Sequence, residues 1–409
     1  MRIIMAEIIP VLIGGDLNAY NIARAFHEAY GVVSHVIGRY PVSATKYSGI
    51  IIPHIVPDLD KKERLYSVLM NFADAHSGAT LMLFGCTDEY VSMIIELAAE
   101  GRLSHFYHVP YTSLRCRDLF ADKADFYAMC DKYSIPYPDT LVINGANELP
   151  PDLNAAGFCF PVVIKPSSSA AYWQHPFDGM RKVYFAKNQA DAEKITSAIY
   201  NSGYDKRLII QERIAGGDDG MRVLTTYSDK SGTVKMMCLG HVLLEEHTPR
   251  GIGNHSAIIT EHNPKITGAF RMMLDGEGYT GFCNFDVKYD PKRDKYLAFD
   301  MNLRQGRSNY YVTASGINIA ALTTDDLVIG DNLPYIENEN ETFWHYIPRR
   351  IVYKYTTNAP LVEQAKKLTR RGAESSSLRY GWDLLRYPLR LLCVLEMWRR
   401  QYKKYKENS

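Results

Sequence analysis

Apolar residues fall along this chain in two rhythms that alternate. The run IIPVLI at 8–13 is unbroken, meets the turn Gly14-Gly15-Asp16, and gives way to Leu17, Ile22, Ala25 and Phe26, which share one face of a helix running to Tyr30. The unit recurs. GIIIPHIV is a second continuous run, and ATLMLFG, Cys86-Thr87-Asp88 and EYVSMIIELAAEG make a third strand, turn and helix. Strands without polar alternation are buried on both faces, and helices between them supply the cover, so the pattern predicts a parallel sheet with crossover helices. Residues 1–117 are expected to form a small α/β domain.

Beyond residue 118 the rhythm changes. A helix over 123–133 stops before Pro136 and Pro138, FPVVIKP is a strand, and SSSAAYWQHPFDGMRKVYF is a polar loop that returns as a strand. QADAEKITSAIYNSGY is helical and RLIIQERI extended. After KMMCLGHVLLEE and TPRGIGNHS, the helix ITGAFRMMLDGEG precedes GFCNFDVKYD and KYLAFDMNLRQG, two segments joined by the turn DPKRDK and expected to pair antiparallel. The class is α/β, with a mixed second domain over 118–330 and a C-terminal extension over 331–409.

Bulk properties narrow the function. A chain of 409 residues exceeds the ~250–300 at which one core stops growing, so two or three domains are expected. With 46% hydrophobic residues, 23% charged residues and a net charge of +1, the chain is an ordinary globular one without bulk attraction to nucleic acid. The seven cysteines form no CxxC pair, which argues against a disulfide framework or a structural zinc site. No apolar run nears the ~18 residues of a membrane span, and Glu7 interrupts the opening run where a signal peptide would stay apolar. A cytoplasmic protein is expected.

The chemistry gathers on the hairpin. In FDMNLRQG, Asp300, Asn302 and Arg304 occupy alternate positions and so share one strand face, while Asp286 of NFDVKYD lies across the turn. Two carboxylates and an amide between buried flanks suit Mg²⁺, which takes a few hard oxygens and completes its shell with phosphate and water. Lys165 emerges from a buried strand beside three serines, a setting that suits phosphate oxygens. Gly14-Gly15-Asp16 opens a helix, where Asp16 either caps the first turn or holds a substrate group.

Taken together, a helix opening on DK, then FPVVIKP, LIIQERIAGGD, NFDVKYD and FDMNLRQG, in this order, resemble the ATP-grasp superfamily of carboxylate-amine ligases. GGDLNAYNIARAFHEAYG, RVLTTY, MMCLGHVLLEE, TPRGIGN, YTGFCNFDVKYDP and NLRQGRS resemble the bacterial D-aspartate ligases more closely. The resemblance implies an N-terminal α/β domain, a two-subdomain ATP-grasp module, and ATP and Mg²⁺ as cofactors. Lys123 and Lys165 would contact phosphates, with Ser167, Ser168 and Ser169 in the loop closing over them. The strand end at Gln211 and Glu212 would be the hinge facing adenine, where backbone groups read the base edge, Ile214 would pack on it, and Asp218 bind ribose, although neighbouring Asp219 leaves that register open. Asp286, Asp300 and Asn302 would hold Mg²⁺, and Arg304 would steady the transferring phosphoryl group. Arg222 and the loop 251–254 would contact substrate. Asp300 stands where the family usually has glutamate, and the phosphate loop has a single glycine, Gly179.

The activity so implied joins an amino acid, D-aspartate in the closest likeness, to the lysine side chain of a peptidoglycan precursor. A ligase of another acid or amine, and a silent nucleotide-binding scaffold, remain open at this stage. Residues 380–409 carry seven Lys and Arg against three acids, interleaved with Trp and Leu and broken by Pro388. This tail is expected either to pack on the catalytic domain or to lie at a membrane surface.

Overall fold

The computed structural model describes residues 7–248 and 251–409, and only the backbone of Ser169 and Ala170. Ile8–Ile13, buried along its whole length, runs through the middle of a five-stranded parallel sheet ordered Ile51–Ile55, Ser34–Gly38, Ile8–Ile13, Thr80–Gly85, Tyr107–His108. The chain leaves this strand through Gly14, whose φ of 110° a side chain would resist. Asp16 then accepts from the backbone N–H groups of Asn18 (3.0 Å) and Ala19 (3.3 Å), capping helix Leu17–Tyr30.

Two further sheets follow, the smaller antiparallel and the larger antiparallel except where Ile336–Glu337 and Glu374–Ser376 pair in parallel. The smaller is ordered Thr140–Ile143, Leu208–Glu212, Val162–Pro166, Tyr184–Ala186. The larger runs Lys295–Asn302, Gly281–Asp290, Met221–Ser228, Val234–Glu245, His255–Glu261, Phe343–His345, Glu374–Ser376, with Ile336–Glu337 beside Val234–Glu245. The expected boundary at 330 therefore crosses one sheet, because Phe343–His345 and Glu374–Ser376 extend it. The first boundary is also bridged by packing. One core unites Leu12, Tyr20 and Phe26 of the parallel domain with Tyr227, Met236 and Trp344 of the large sheet and Tyr405 of the tail.

The tail forms a short helix, Gly381–Arg386, and a long one, Pro388–Asn408, with Pro388 in its first turn, where a missing N–H costs no helix bond. Its inner face is fastened. Arg390 and Asp383, both fully buried, meet at 3.3 Å, and Asp383 also accepts from Tyr20, Ser48 and the N–H of Gly49. Of the two expectations for the tail, packing describes this inner face. Among the described residues, no helix is long and apolar enough to cross a membrane.

Candidate active site

The hairpin sets the site. Gly281–Asp290 and Lys295–Asn302 pair antiparallel with Asp286 directly opposite Asp300 and Asn284 opposite Asn302, and a register shift follows Asp286. Both pairs lie on one face, two residues apart, as the pleat requires. Against this face stands the end of Val162–Pro166, where Lys165 is buried and donates to the Tyr127 hydroxyl (3.0 Å) and the Phe299 carbonyl (3.3 Å). Lys123, the first residue of helix Lys123–Lys132, reaches Asp300 Oδ2 at 3.2 Å. Between the small and the large sheet opens a cavity of about 430 Å³, a size that suits a cofactor.

The charges at this cavity are strongly coupled. Burial, and then the facing Asp300, push Asp286 up to about 8. Burial would also raise Asp300, but Lys123, Lys165 and Lys182 outweigh it and hold its carboxyl below the usual range. Burial drives Lys165 down to about 7, with Lys123 and Lys182 adding to the effect and Asp300 opposing it. For Lys123 the balance reverses: burial works against its charge, and Asp300 raises it all the same. Glu245 rises to about 7 through burial and then Asp218, and burial lowers His255 to about 4.

A divalent cation fits this donor set. Asp286 Oδ1 is buried without a hydrogen-bond partner, an uncompensated acceptor that a cation would satisfy. No three acids, histidines or cysteines converge among the described residues to form a closed protein cage. Two carboxylates and an amide leave the remaining positions to phosphate and water, the usual arrangement for Mg²⁺.

The other expected residues divide. Ile214 and Asp218 line the cavity, as do Ile252 and Gly253 of the 251–254 loop. Asp218 accepts from the N–H of Glu245 and from His247 Nε2, both at 2.9 Å, whereas Asp219 is engaged by Asn358, so the acid facing the cavity is Asp218. Gln211 is wholly buried, its amide on Thr140, and Glu212 turns out to Arg293; neither side chain lines the cavity. Ser167 donates to Asp122 and Ser168 accepts from the N–H of Ala171, so both brace the loop and stay out of the cavity lining. The side chain of Ser169 lies outside the described residues.

Two expectations change. The strand ends at Asn302, so Arg304 is not the third member of its face. Gln305, wholly buried with its amide on the Gly85 carbonyl, draws the chain toward the parallel domain, and Arg304 pairs there with Asp88 at 2.7 Å. Arg222 lies on the opposite face of the large sheet. Its neighbour Val223 is the residue paired with Asp286, and the Arg222 guanidinium is taken up by Glu261 and by the carbonyls of Asp219 and Met221.

Sequence reasoning missed Lys182, Arg213, Glu245, His255 and Lys288 in the lining, together with apolar Val163, Phe185 and Phe299. For part of this set the pleat was the available signal. Val163 stands two residues before Lys165, so one face of that strand was already aimed at the cavity. A second cavity, of about 490 Å³, lies at the carboxyl end of the parallel sheet, lined by Gly14, Gly15, Asp16, Thr87, Asp88 and Trp173, among others.

Two sheets closing on a cleft of lysines and carboxylates, behind a parallel α/β domain, define an ATP-grasp enzyme of the ATP-dependent carboxylate-amine ligase class. No family model matches the chain. D-aspartate ligase of Enterococcus faecium (strain Aus0004) is 34% identical over 406 residues, which cover 93% of this chain and 94% of that one. At that likeness the chain belongs to the D-aspartate ligase family. Among solved structures, the biotin carboxylase domain of Hydrogenobacter thermophilus 2-oxoglutarate carboxylase, in complex with MgADP, aligns at TM-score 0.60 and 14% identity, over 82% of this chain and 73% of that one. L-amino acid ligase from Bacillus licheniformis aligns at TM-score 0.54 and 12% identity, over 79% and 75%. These two are alike in fold.

Proposed function

We propose that the chain uses ATP and Mg²⁺ to convert a carboxylate of D-aspartate into an acyl phosphate, and then joins it to the lysine side-chain amine of a peptidoglycan precursor. The observation that carries this reading is the meeting of Asp286, Asp300, Lys123, Lys165 and Lys182 around one cavity. The name of the relative, D-aspartate ligase, supports D-aspartate as the acid, and the lysine acceptor rests on the sequence resemblance.

In the first step a carboxylate oxygen attacks the γ-phosphorus and the bond to the β-phosphate oxygen breaks, releasing ADP. In the second the amine nitrogen attacks the acyl carbon, the carbon–oxygen bond breaks, inorganic phosphate leaves and the nitrogen sheds a proton. Phosphoryl transfer asks a protein for position and charge neutralisation rather than a nucleophile. Lys123, Lys165 and Lys182 offer cations to the phosphate oxygens, and Asp218 offers an acceptor to ribose hydroxyls. Ile214, Phe185 and Val163 offer apolar surface to the base. Asp286, Asp300 and Asn302 would hold Mg²⁺, which would supply positive charge to the reacting phosphates. Arg304, paired with Asp88 of the second cavity's lining, would steady the phosphate of the acyl intermediate. The second cavity, with Asp16 and Asp88, would receive the amino acid and the amine.

The test is phosphate release from ATP with D-aspartate, L-aspartate and other D-amino acids, each with and without a lysine-containing muropeptide precursor. Release with D-aspartate and precursor alone supports the reading. Equal release with another acid moves the substrate, and no release with any acid removes the activity.

A further inference from the structure

Seven of the nineteen exposed large apolar side chains among the described residues fall within residues 385–402, so they form a patch rather than the scatter any surface shows. Leu385, Leu389 and Leu392 are exposed by 85, 60 and 61%. Leu389, Leu392 and Leu395 recur at helical spacing along Pro388–Asn408. The opposite side of that helix is anchored through Arg390, Val394, Gln401 and Tyr405, so the leucine face is held outward.

Beside the leucines runs a cationic groove of about 490 Å³, lined by Arg349, Arg350, Arg379, Trp398, Arg399 and Tyr402 among others. Arg349 and Arg379 share Glu374, and Arg399 and Arg400 share Glu396. Five guanidiniums thus face two carboxylates, and the surplus is positive. An aromatic pair lies where the cations meet the apolar stripe, the position that amphipathic rings take at a lipid–water boundary.

We propose that this face docks on an anionic phospholipid surface, with headgroup phosphates in the arginine groove and the leucines at the acyl boundary. Charge selects lipid over a second copy of the chain. A two-fold contact would set the same cationic surplus against itself, whereas anionic lipid is complementary to it. Arginine forks match phosphate oxygens in pairs. The inference is independent of which acid or amine the enzyme joins.

Flotation of the full chain with phosphatidylcholine vesicles, with and without phosphatidylglycerol, tests it. Binding is expected only with the anionic lipid, and should fall as salt rises. The triple variant Leu385→Ser, Leu389→Ser, Leu392→Ser should bind more than about tenfold more weakly. A second variant, Arg350→Glu with Arg399→Glu, should do the same through charge alone and stands by itself if the triple variant does not fold. Equal recovery on both vesicle types, or undiminished binding by either folded variant, overturns the proposal. So does a lipid-free dimer that the leucine substitutions dissolve, which would assign the face to a protein contact.

Discussion

Lys123 Nζ lies 3.2 Å from Asp300 Oδ2, and the two residues come from different elements: the start of helix Lys123–Lys132 and the edge strand of the large sheet. The carboxylate expected to meet Mg²⁺ and the ammonium expected to meet phosphate therefore hold each other. Binding of MgATP would give each a stronger partner of opposite charge, so the pair fixes where the two charges of the incoming complex go. Asp300→Asn keeps the shape and removes the anion, and turnover should fall on the order of 10²–10³-fold. Lys123→Met should raise the KM for ATP about 10–100-fold with a smaller change in kcat. Steady-state phosphate release at varied ATP separates the two effects, and equal loss of kcat in both variants would contradict the division of roles.

Lys165 gives a pH prediction with a definite sign. Burial sets its ammonium at about 7, so above that pH much of it is neutral in the free enzyme. Phosphate oxygens of ATP favour the charged form and raise it. At pH 8 Lys165 should therefore take up a proton on binding, counted as the difference from Lys165→Met because Mg²⁺ displaces a proton from Asp286 in both proteins, and at pH 6 it should take up almost none. Calorimetry in buffers of different ionisation enthalpy counts the protons. Lys165→Met should shift the net proton count at pH 8 toward release while also weakening ATP; an unchanged count in that variant would assign the proton to another group.

Arg222 should behave as a structural residue. It lies on the face away from Asp286, bound to Glu261. Arg222→Met leaves a half-buried carboxylate without its partner and should cost about 1–3 kcal/mol of stability, read in urea unfolding. The KM for ATP should stay near that of the parent. A selective loss of kcat with unchanged stability would return Arg222 to the site.

What was legible in the sequence divides along the same physical lines. Strand and turn patterns reported the parallel sheet and the hairpin because both are local: Asp286 and Asp300 are joined by one short turn, and the pleat fixes their faces. Arg304 was misread because a strand's end is set by tertiary contact, here the anchoring of Gln305 on Gly85. Ser167 stood in the serine run expected to close over phosphate, but its side chain is used by Asp122; at Gln211 the expectation concerned the backbone, and the side chain is held by Thr140. Lys182, Glu245 and His255 lay beyond reach for a different reason. Each comes from its own segment, and only the closing of one sheet on the other brings them to a single cavity. The boundary at 330 failed likewise, since the three-residue strands Phe343–His345 and Glu374–Ser376 are too short to stand out from loop.

The parallel domain carries a histidine cluster that should make it acid-labile. His35 and His54 on neighbouring strands approach at 3.0 Å, Nδ1 to Nε2, and the His76 ring lies 5.3 Å from that of His35. Burial, then His54 and His76, lower His35 to about 4, against ~6.5 in an unfolded chain. The neutral ring is favoured in the fold, so stability is whole above ~6.5 and is lost as pH falls from there through about 4. Such a shift in a sealed site would be worth ~3 kcal/mol, but the cluster is half-open to solvent, which reduces it to about 1 kcal/mol. Urea unfolding at pH 8, 6 and 4.5 measures the slope. His35→Phe keeps an aromatic ring beside Phe72 and cannot take a proton, so part of the loss between pH 6.5 and 4.5 should vanish. An identical slope in that variant would place the acid sensitivity elsewhere in the fold.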